Sequence, residues 1–201
     1  MIVGVVLAAG SATRFGGDKL LAELGMGRCI AEISCAKLRP AVDRLIAVVR
    51  PGAGELAARL GAAGAEVCIV ADPAQGMGAS LAHGVAQAPD ADGWLIALAD
   101  MPLVADADVM RIAAALRAGA AIAVPVALGR RGHPVGFAHR FFAELTALNG
   151  DTGARAILAR YAADIVEVPV SDANTWHDVD TGDDLEVARR LLAETIKREG
   201  N

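Results

Sequence analysis

Near its amino end the chain reads Leu7-Ala8-Ala9-Gly10-Ser11-Ala12-Thr13-Arg14-Phe15-Gly16-Gly17-Asp18-Lys19, an apolar run that breaks into a loop of glycine, small residues and two cations. Such a loop suits polyphosphate. Glycines admit positive φ and bring backbone N–H groups close to an anion, Arg14 can grip two oxygens at once, and Lys19 adds a point charge. The GxxxxGK[ST] order of a Walker loop is absent, because Lys19 lies between Asp18 and Leu20. A second candidate is Asp100, which ends the apolar run Trp94-Leu95-Ile96-Ala97-Leu98-Ala99 and precedes Met101-Pro102. A carboxylate there can hold Mg²⁺, which takes one or two carboxylates and fills its sphere with phosphate oxygens and water. Taken alone, an Asp before such a Pro is also an ordinary turn residue.

Further along, Trp176-His177-Asp178-Val179-Asp180-Thr181-Gly182-Asp183-Asp184-Leu185 leads into the closing helix. Thr181 and Asp184 have the spacing of a capping box, and acidic residues favour a helix N-terminus. Neither Asp178 nor Asp180 is needed for that cap. The stretch Gln75-Gly76-Met77-Gly78-Ala79-Ser80-Leu81 begins as a dinucleotide fingerprint should, with Asp100 about twenty residues on. It then departs, since Leu81 stands where a third Gly or Ala is required and Asp72-Pro73 interrupts the passage from strand to turn. Two more clusters remain: Gly132-His133-Pro134-Val135, and Gly150-Asp151-Thr152-Gly153-Ala154-Arg155. His133 reads equally well as a turn residue or a substrate contact. Arg155 in the first turn of a helix opposes the helix dipole, a conflict that a bound phosphate resolves.

These residues need a frame. Short Val- and Ile-rich runs alternate with Ala-rich stretches of helical period, the pattern of βα units around a parallel sheet, so the fold class is α/β. The expected strands are 2–7, 44–49, 66–70, 94–99, 121–126 and 164–168. The expected helices are 29–38, 53–62, 78–88, 105–117, 153–161 and 183–198. Residues 127–137 break the rhythm with Gly129, Arg130, Arg131, Gly132 and Pro134 and read as a loop or hairpin inserted late in the sheet. The three segments 10–19, 75–80 and 100–102 each follow a strand, directly or within a few residues, and so share the carboxyl edge of the sheet, where ligands of such sheets bind.

The 201 residues fit a single domain, and 54% hydrophobic with 21% charged residues excludes a mostly disordered chain. A net charge of -5 argues against nucleic acid as a partner. No apolar run reaches the length of a membrane span, and the amino end lacks the features of a secretory signal, so no membrane association and a cytoplasmic location are expected. Cys29, Cys35 and Cys68 form no CxxC pair and read as small core residues, as His83 and His139 read as lone helix residues.

LAAGSATRFGGDK resembles LA[AG]GxSxRxGxxK, the signature of nucleotidyltransferases related to the molybdenum cofactor guanylyl- and cytidylyltransferases. The departure is Ala12, where the common pattern has serine. Asp100-Met101-Pro102 resembles that family's metal-binding DMP, residues 178–185 its D[IV]DTPEDL with Gly182 in place of proline, and residues 76–81 its GxxxS[LV] element. The resemblance runs from Leu7 to Leu185 and implies a nucleotide-diphospho-sugar transferase type of three-layer α/β/α fold. It implies that Leu7, Ala8, Ala9, Gly10, Gly76 and Ser80 line the nucleotide, helped by Met77, and that Arg14 and Lys19 hold its phosphates. By the same reasoning Asp100 and Asp180 ligate Mg²⁺, while His133, Pro134 and Arg155 face the acceptor. The implied reaction is nucleotidyl transfer to molybdopterin, with CTP preferred over GTP because LAAG accompanies the cytidylyl branch, and with a client enzyme of the xanthine dehydrogenase type. A noncatalytic cofactor-delivery protein and an NAD(P)-dependent oxidoreductase are the alternatives.

Overall fold

Strand β1 (Ile2–Ala8) alternates its side chains between two cores, as a strand covered on both faces must. Ile2, Val6 and Ala8 enter one cluster of buried residues, whereas Val3 and Val5 enter the other. The computed structural model describes residues 1–10, 15, 18–170 and 177–199. After β1 comes a small hairpin, β2 (Glu23–Gly25) and β3 (Arg28–Cys29), followed by β4 (Arg44–Val49) and β5 (Glu66–Ile69). The later strands are β6 (Gly93–Leu98), β7 (Ile122–Ala127), β8 (Arg130–Arg131), β9 (Val135–Ala138) and β10 (Ile165–Pro169).

In the main sheet the order is β10-β7-β9-β6-β1-β4-β5, with β8 attached to β7. Parallel pairs join β1 to both β4 and β6, β4 to β5, and β10 to β7. The chain thus leaves β1 toward β4 and β5, then crosses back to β6 on the other side. Strand β9 is the exception, running antiparallel to both neighbours.

Helices α1 (Ile30–Leu38), α2 (Gly54–Ala62), α4 (Asp106–Arg117) and α7 (Gly182–Glu199) cover one face. The other carries α3 (Gly76–Ala86), α5 (Phe142–Thr146) and α6 (Arg155–Arg160). This is the expected three-layer α/β/α arrangement, and all six expected strands and all six expected helices are present within two residues of their sequence-read bounds.

Two features go beyond the sequence reading. The inserted segment supplies a true sheet strand, β9, which fits between β6 and β7 because Gly136 clears α4: a Cβ there would lie 2.9 Å from Leu116 Cδ1. The β2–β3 hairpin turns through Met26 and Gly27, both at positive φ (54° and 69°). Two successive positive φ values are the demand of a tight hairpin turn, and Met26 is an unusual residue to meet it. The hairpin is tied to the closing helix by Arg189, whose guanidinium donates to the Glu23 carbonyl oxygen at 2.6 and 3.1 Å.

Helix α3 lies close on β1 and β4 because Gly84 has no side chain. A Cβ there would be 2.5 Å from Val5 Cγ1 and 2.7 Å from Val48 Cγ2, both in the middle of the sheet. Gly84→Val should therefore lower stability by about 1–3 kcal/mol through overpacking, a drop of about 2–4 °C in Tm per kcal/mol for a domain of this size. Thermal unfolding followed by circular dichroism checks it, and an unchanged Tm would mean that α3 is free to back away from the sheet.

Candidate active site

The crossing back from β5 to β6 opens a crevice outside the carboxyl ends of β1 and β6, the place where open α/β sheets bind ligands. A cavity of about 550 Å³ occupies it, lined by Leu7, Ala9 and Gly10 from the end of β1, Leu98 and Asp100 from β6, and Gly76, Met77 and Ser80 from α3. Arg50, the residue after β4, closes another side. A second cavity of about 530 Å³ lies beside it and shares Leu7, Met77 and Leu98 as a common wall. Its floor is apolar, with Ile96, Val124, Val135 and Phe137 from the sheet, and its rim carries Arg130, Arg131, His133 and Arg155.

Lys19 starts a short 3₁₀ turn, Lys19–Leu21, whose middle residue Leu20 is buried in the core. Its ammonium donates to Asp100 Oδ2 at 2.8 Å and to Asp180 Oδ1 at 2.7 Å, joining residues 81 and 161 positions apart. Burial opposes the charge of Lys19, but hydrogen bonds and attraction to Asp100 and Asp180 outweigh it and raise the amine above its ordinary value. Lys19 therefore stays protonated at any ordinary pH.

Asp180 is brought to this place by its own neighbours. Val179 is fully buried and its N–H donates to the Asp100 carbonyl oxygen at 3.0 Å, docking the segment against the end of β6. Asp184 then fastens the following turn, accepting from the backbone N–H groups of Asp180 (3.1 Å) and Thr181 (2.8 Å), while the Asp184 N–H donates to Thr181 Oγ1 at 3.2 Å. The capping box thus orients Asp180 and leaves its carboxylate free to turn toward Lys19. Asp178 lies on the other side of Val179 and lines the second cavity. Desolvation, then the charges of Asp100 and Asp180, push its carboxyl above the usual carboxylate range.

Asp100 and Asp180 form a donor set fit for a hard divalent cation, since each presents a carboxylate oxygen to one common position that an ammonium can share. Among the described residues no group of three or more His, Cys, Asp or Glu side chains could hold a metal alone.

Comparisons with known proteins place the chain in a family. Residues 4–165 match the MobA-like NTP transferase domain. The chain belongs to the MobA-like NTP transferase family. It is a nucleotidyltransferase, and its mostly parallel sheet with helices on both sides is the nucleotide-diphospho-sugar transferase type of fold. Across 207 residues it is 31% identical to the purine catabolism protein PucB of Bacillus subtilis, covering 96% of this chain and 98% of that protein. It is 30% identical to the nicotine blue oxidoreductase of Paenarthrobacter nicotinovorans, over 95% and 96% of the two chains. The crystal structure of Rv0371c from Mycobacterium tuberculosis superposes with a TM-score of 0.83 at 32% identity, covering 94% and 97%, and the same protein has been solved in complex with manganese. A nucleotidyl transferase from Methanothermobacter thermautotroptrophicus gives a TM-score of 0.80 at 25% identity, over 96% and 99% of the chains.

Of the residues singled out in the sequence, this transferase brings Leu7, Ala9, Gly10, Gly76, Ser80 and Asp100 to one cavity, His133 and Arg155 to the other, and Lys19 and Asp180 to Asp100. Arg14 lies outside the described residues, with Ser11, Ala12, Thr13, Gly16 and Gly17. Ala8 faces the core on the opposite side of the sheet, and Pro134 is buried without lining either cavity. The dinucleotide reading of residues 76–81 meets a steric objection. The glycines that would admit a pyrophosphate are instead covered by protein backbone, a Cβ on Gly76 falling 2.5 Å from the Gly150 carbonyl carbon and one on Gly78 falling 2.6 Å from Asn149 O.

Among the charged residues that line the cavities, Arg50, Arg130, Arg131 and Asp178 were not read from the sequence as site residues. Arg50 had a usable signal, a cation immediately after a strand at the carboxyl edge. It is held by Asp18, whose Oδ2 accepts from Arg50 at 3.1 Å. Arg130 and Arg131 reach the site only because β8 pairs with β7, a placement that needs the sheet order.

Inside the second cavity His133 Nδ1 faces the Ile96 carbonyl oxygen at 3.4 Å. Burial lowers the imidazole below its ordinary value, outweighing the Ile96 contact and the attraction of Asp100. A histidine whose folded value is depressed stabilises the fold while neutral, above its unfolded value of about 6.5. That contribution disappears as pH falls through the lowered folded value. His133→Asn should thus flatten the decline of Tm between about pH 7 and pH 5, and an unaltered decline would assign the acid limb to other groups.

Proposed function

We propose that this chain transfers a nucleoside monophosphate from a triphosphate in the first cavity to a phosphorylated acceptor in the second. The observation that carries this reading is the pairing of two cavities of similar volume across one thin wall, with the Lys19, Asp100 and Asp180 cluster beside it. An acceptor phosphate oxygen attacks the α-phosphorus, the bond to the bridging oxygen breaks, and pyrophosphate leaves. No side-chain nucleophile is needed. Lys19 and Arg14 hold the phosphates and meet the charge that develops on the departing pyrophosphate, and the common wall of Leu7, Met77 and Leu98 fixes the approach of the two substrates. Asp100 and Asp180 would hold a divalent cation, Mg²⁺ in this reading, whose contribution is neutralisation of phosphate charge.

The acceptor we propose is molybdopterin. A flat apolar floor rimmed by Arg130, Arg131 and Arg155 suits a ring compound carrying phosphate, and His133, kept neutral, adds a hydrogen-bonding group without further charge. The product would be a dinucleotide form of the cofactor delivered to a molybdenum enzyme of the xanthine dehydrogenase type, and a relative named for purine catabolism supports that client. We further propose that the whole chain acts as one domain in the cytoplasm, and that CTP is preferred. Ala9 supports the base choice, since its methyl lines the nucleotide cavity and narrows the floor on which a purine would lie.

An oxidoreductase reading is kept in view by the relative named nicotine blue oxidoreductase. Titration with NADH or NADPH tests it, and the covered glycines of α3 speak against it. A noncatalytic delivery protein would have no use for the joined Lys19, Asp100 and Asp180.

Two measurements decide the main reading. Asp100→Asn should fold as the parent does and lose more than about nine-tenths of turnover under saturating Mg²⁺, because each tenfold loss corresponds to about 1.4 kcal/mol of transition-state stabilisation. Pyrophosphate release with molybdenum cofactor present is the assay, and a variant that keeps more activity removes Asp100 from the centre of the mechanism. Ala9→Gly should shift the ratio of kcat/KM for CTP and GTP toward GTP by about 1–3 kcal/mol, the worth of one methyl in an apolar pocket. A parent that already prefers GTP, or a ratio that does not move, places the chain outside the cytidylyl branch.

A further inference from the structure

The carboxylates read above as cation ligands are already bridged by a cation of the chain's own. Lys19 Nζ stands 2.8 Å from Asp100 Oδ2 and 2.7 Å from Asp180 Oδ1, so one ammonium faces both oxygens that a divalent ion would take. Its side chain is only 13% exposed and that of Asp100 24%, so water screens their attraction weakly. The backbone beneath is pinned, because Leu20 is buried and the Leu21 N–H donates to the Asp18 carbonyl oxygen at 3.0 Å. The lysine side chain can therefore swing while its anchor stays. Asp180, at 49% exposure, has room to turn as well.

We propose that Lys19 plugs the cation position in the nucleotide-free protein and is drawn off it by the incoming triphosphate, so that nucleotide and divalent ion bind in a coupled order. This rests on the reading of Asp100 and Asp180 as the cation's carboxylates. Two carboxylates and one ammonium leave a net charge of -1, too little to favour a strongly hydrated divalent ion over the amine already seated. A triphosphate supplies competing oxygens for Lys19 and releases both carboxylates at the moment when phosphate oxygens are present to complete the ion's sphere. Metal bound without nucleotide is thereby disfavoured.

The test measures Mn²⁺ binding by electron paramagnetic resonance, without nucleotide, in the full chain. Lys19→Met should bind Mn²⁺ about fivefold or more tightly than the parent, a coupling of the size usual between linked sites. Lys19→Arg, which keeps the charge, should gain little. Arg50→Gln serves as a control for the general field, because it removes a nearby charge that touches neither carboxylate. An equal gain in Arg50→Gln, or none in Lys19→Met, overturns the proposal. Asp100→Asn separates the two readings: if Mn²⁺ binding does not depend on Asp100, the metal site itself has been misplaced, whereas Asp100-dependent binding with no response at Lys19 rejects the plug alone. Should Lys19→Met fail to fold, the parent still decides. The sequence holds three lysines, Lys19, Lys37 and Lys197, so lysine-selective isotope labelling yields few ammonium signals. Inorganic triphosphate added without metal should move the Lys19 signal, and a signal that stays in place overturns the inference.

Discussion

Everything at the site depends on β1 being paired in parallel on both edges and buried on both faces. A strand so enclosed has no freedom of register, since a shift by one residue would exchange the side chains of the two cores. The register places Leu7 beside Leu98 and Ala8 beside Val49, so the chain emerging after Ala8 must pass between the ends of β4 and β6. Gly10, Arg50 and Asp100 are neighbours for that reason, although 40 and 50 residues of sequence separate them. The nearness of Gly10, Arg50 and Asp100 is a consequence of one strand's position.

Charge is distributed with the same economy. The protein is acidic overall, yet the second cavity is rimmed by three arginines, while Asp100 and Asp180 are gathered around one lysine. Local field, not net charge, governs which small anions are held there. Two of the arginines that line the cavities are already restrained by carboxylates, Arg50 by Asp18 and Arg131 by Glu167, so their guanidinium groups are positioned before a ligand arrives. A restrained cation loses less freedom on binding phosphate than a free one.

Much of this was legible in the sequence because β1, β4 and β6 are continuous apolar runs with chemistry at their ends. The loop after Leu7 and the Asp after Ala99 could be assigned to one edge without knowing strand order, since all strands of βα units point the same way. Residues 127–137 resisted that reasoning. Two-residue β8 and four-residue β9 are too short to show a period, and whether such strands pair at all is decided by partners that are remote in sequence. The same is true of Met26, whose positive φ contradicts its residue type and is imposed by hairpin closure. For Lys19, residue type announced a phosphate ligand, while its bridging of two aspartates required the docking of Val179 on Asp100, a backbone contact with no signature in the chain.

Strand β9 runs against its neighbours, with Val135 opposite Ile96 near the carboxyl end of β6. In a parallel strand the residues that reach the crevice come after the strand, and altering them disturbs the start of the next helix. Here they come before it: Arg130 and Arg131 form the two-residue strand β8, and His133 lies in the link from β8 to β9. That segment is a replaceable module. Its length and residues can change without breaking the pairing of β1 with β4 and β6, so the second cavity can be reshaped while the crevice at the end of β1 keeps its frame.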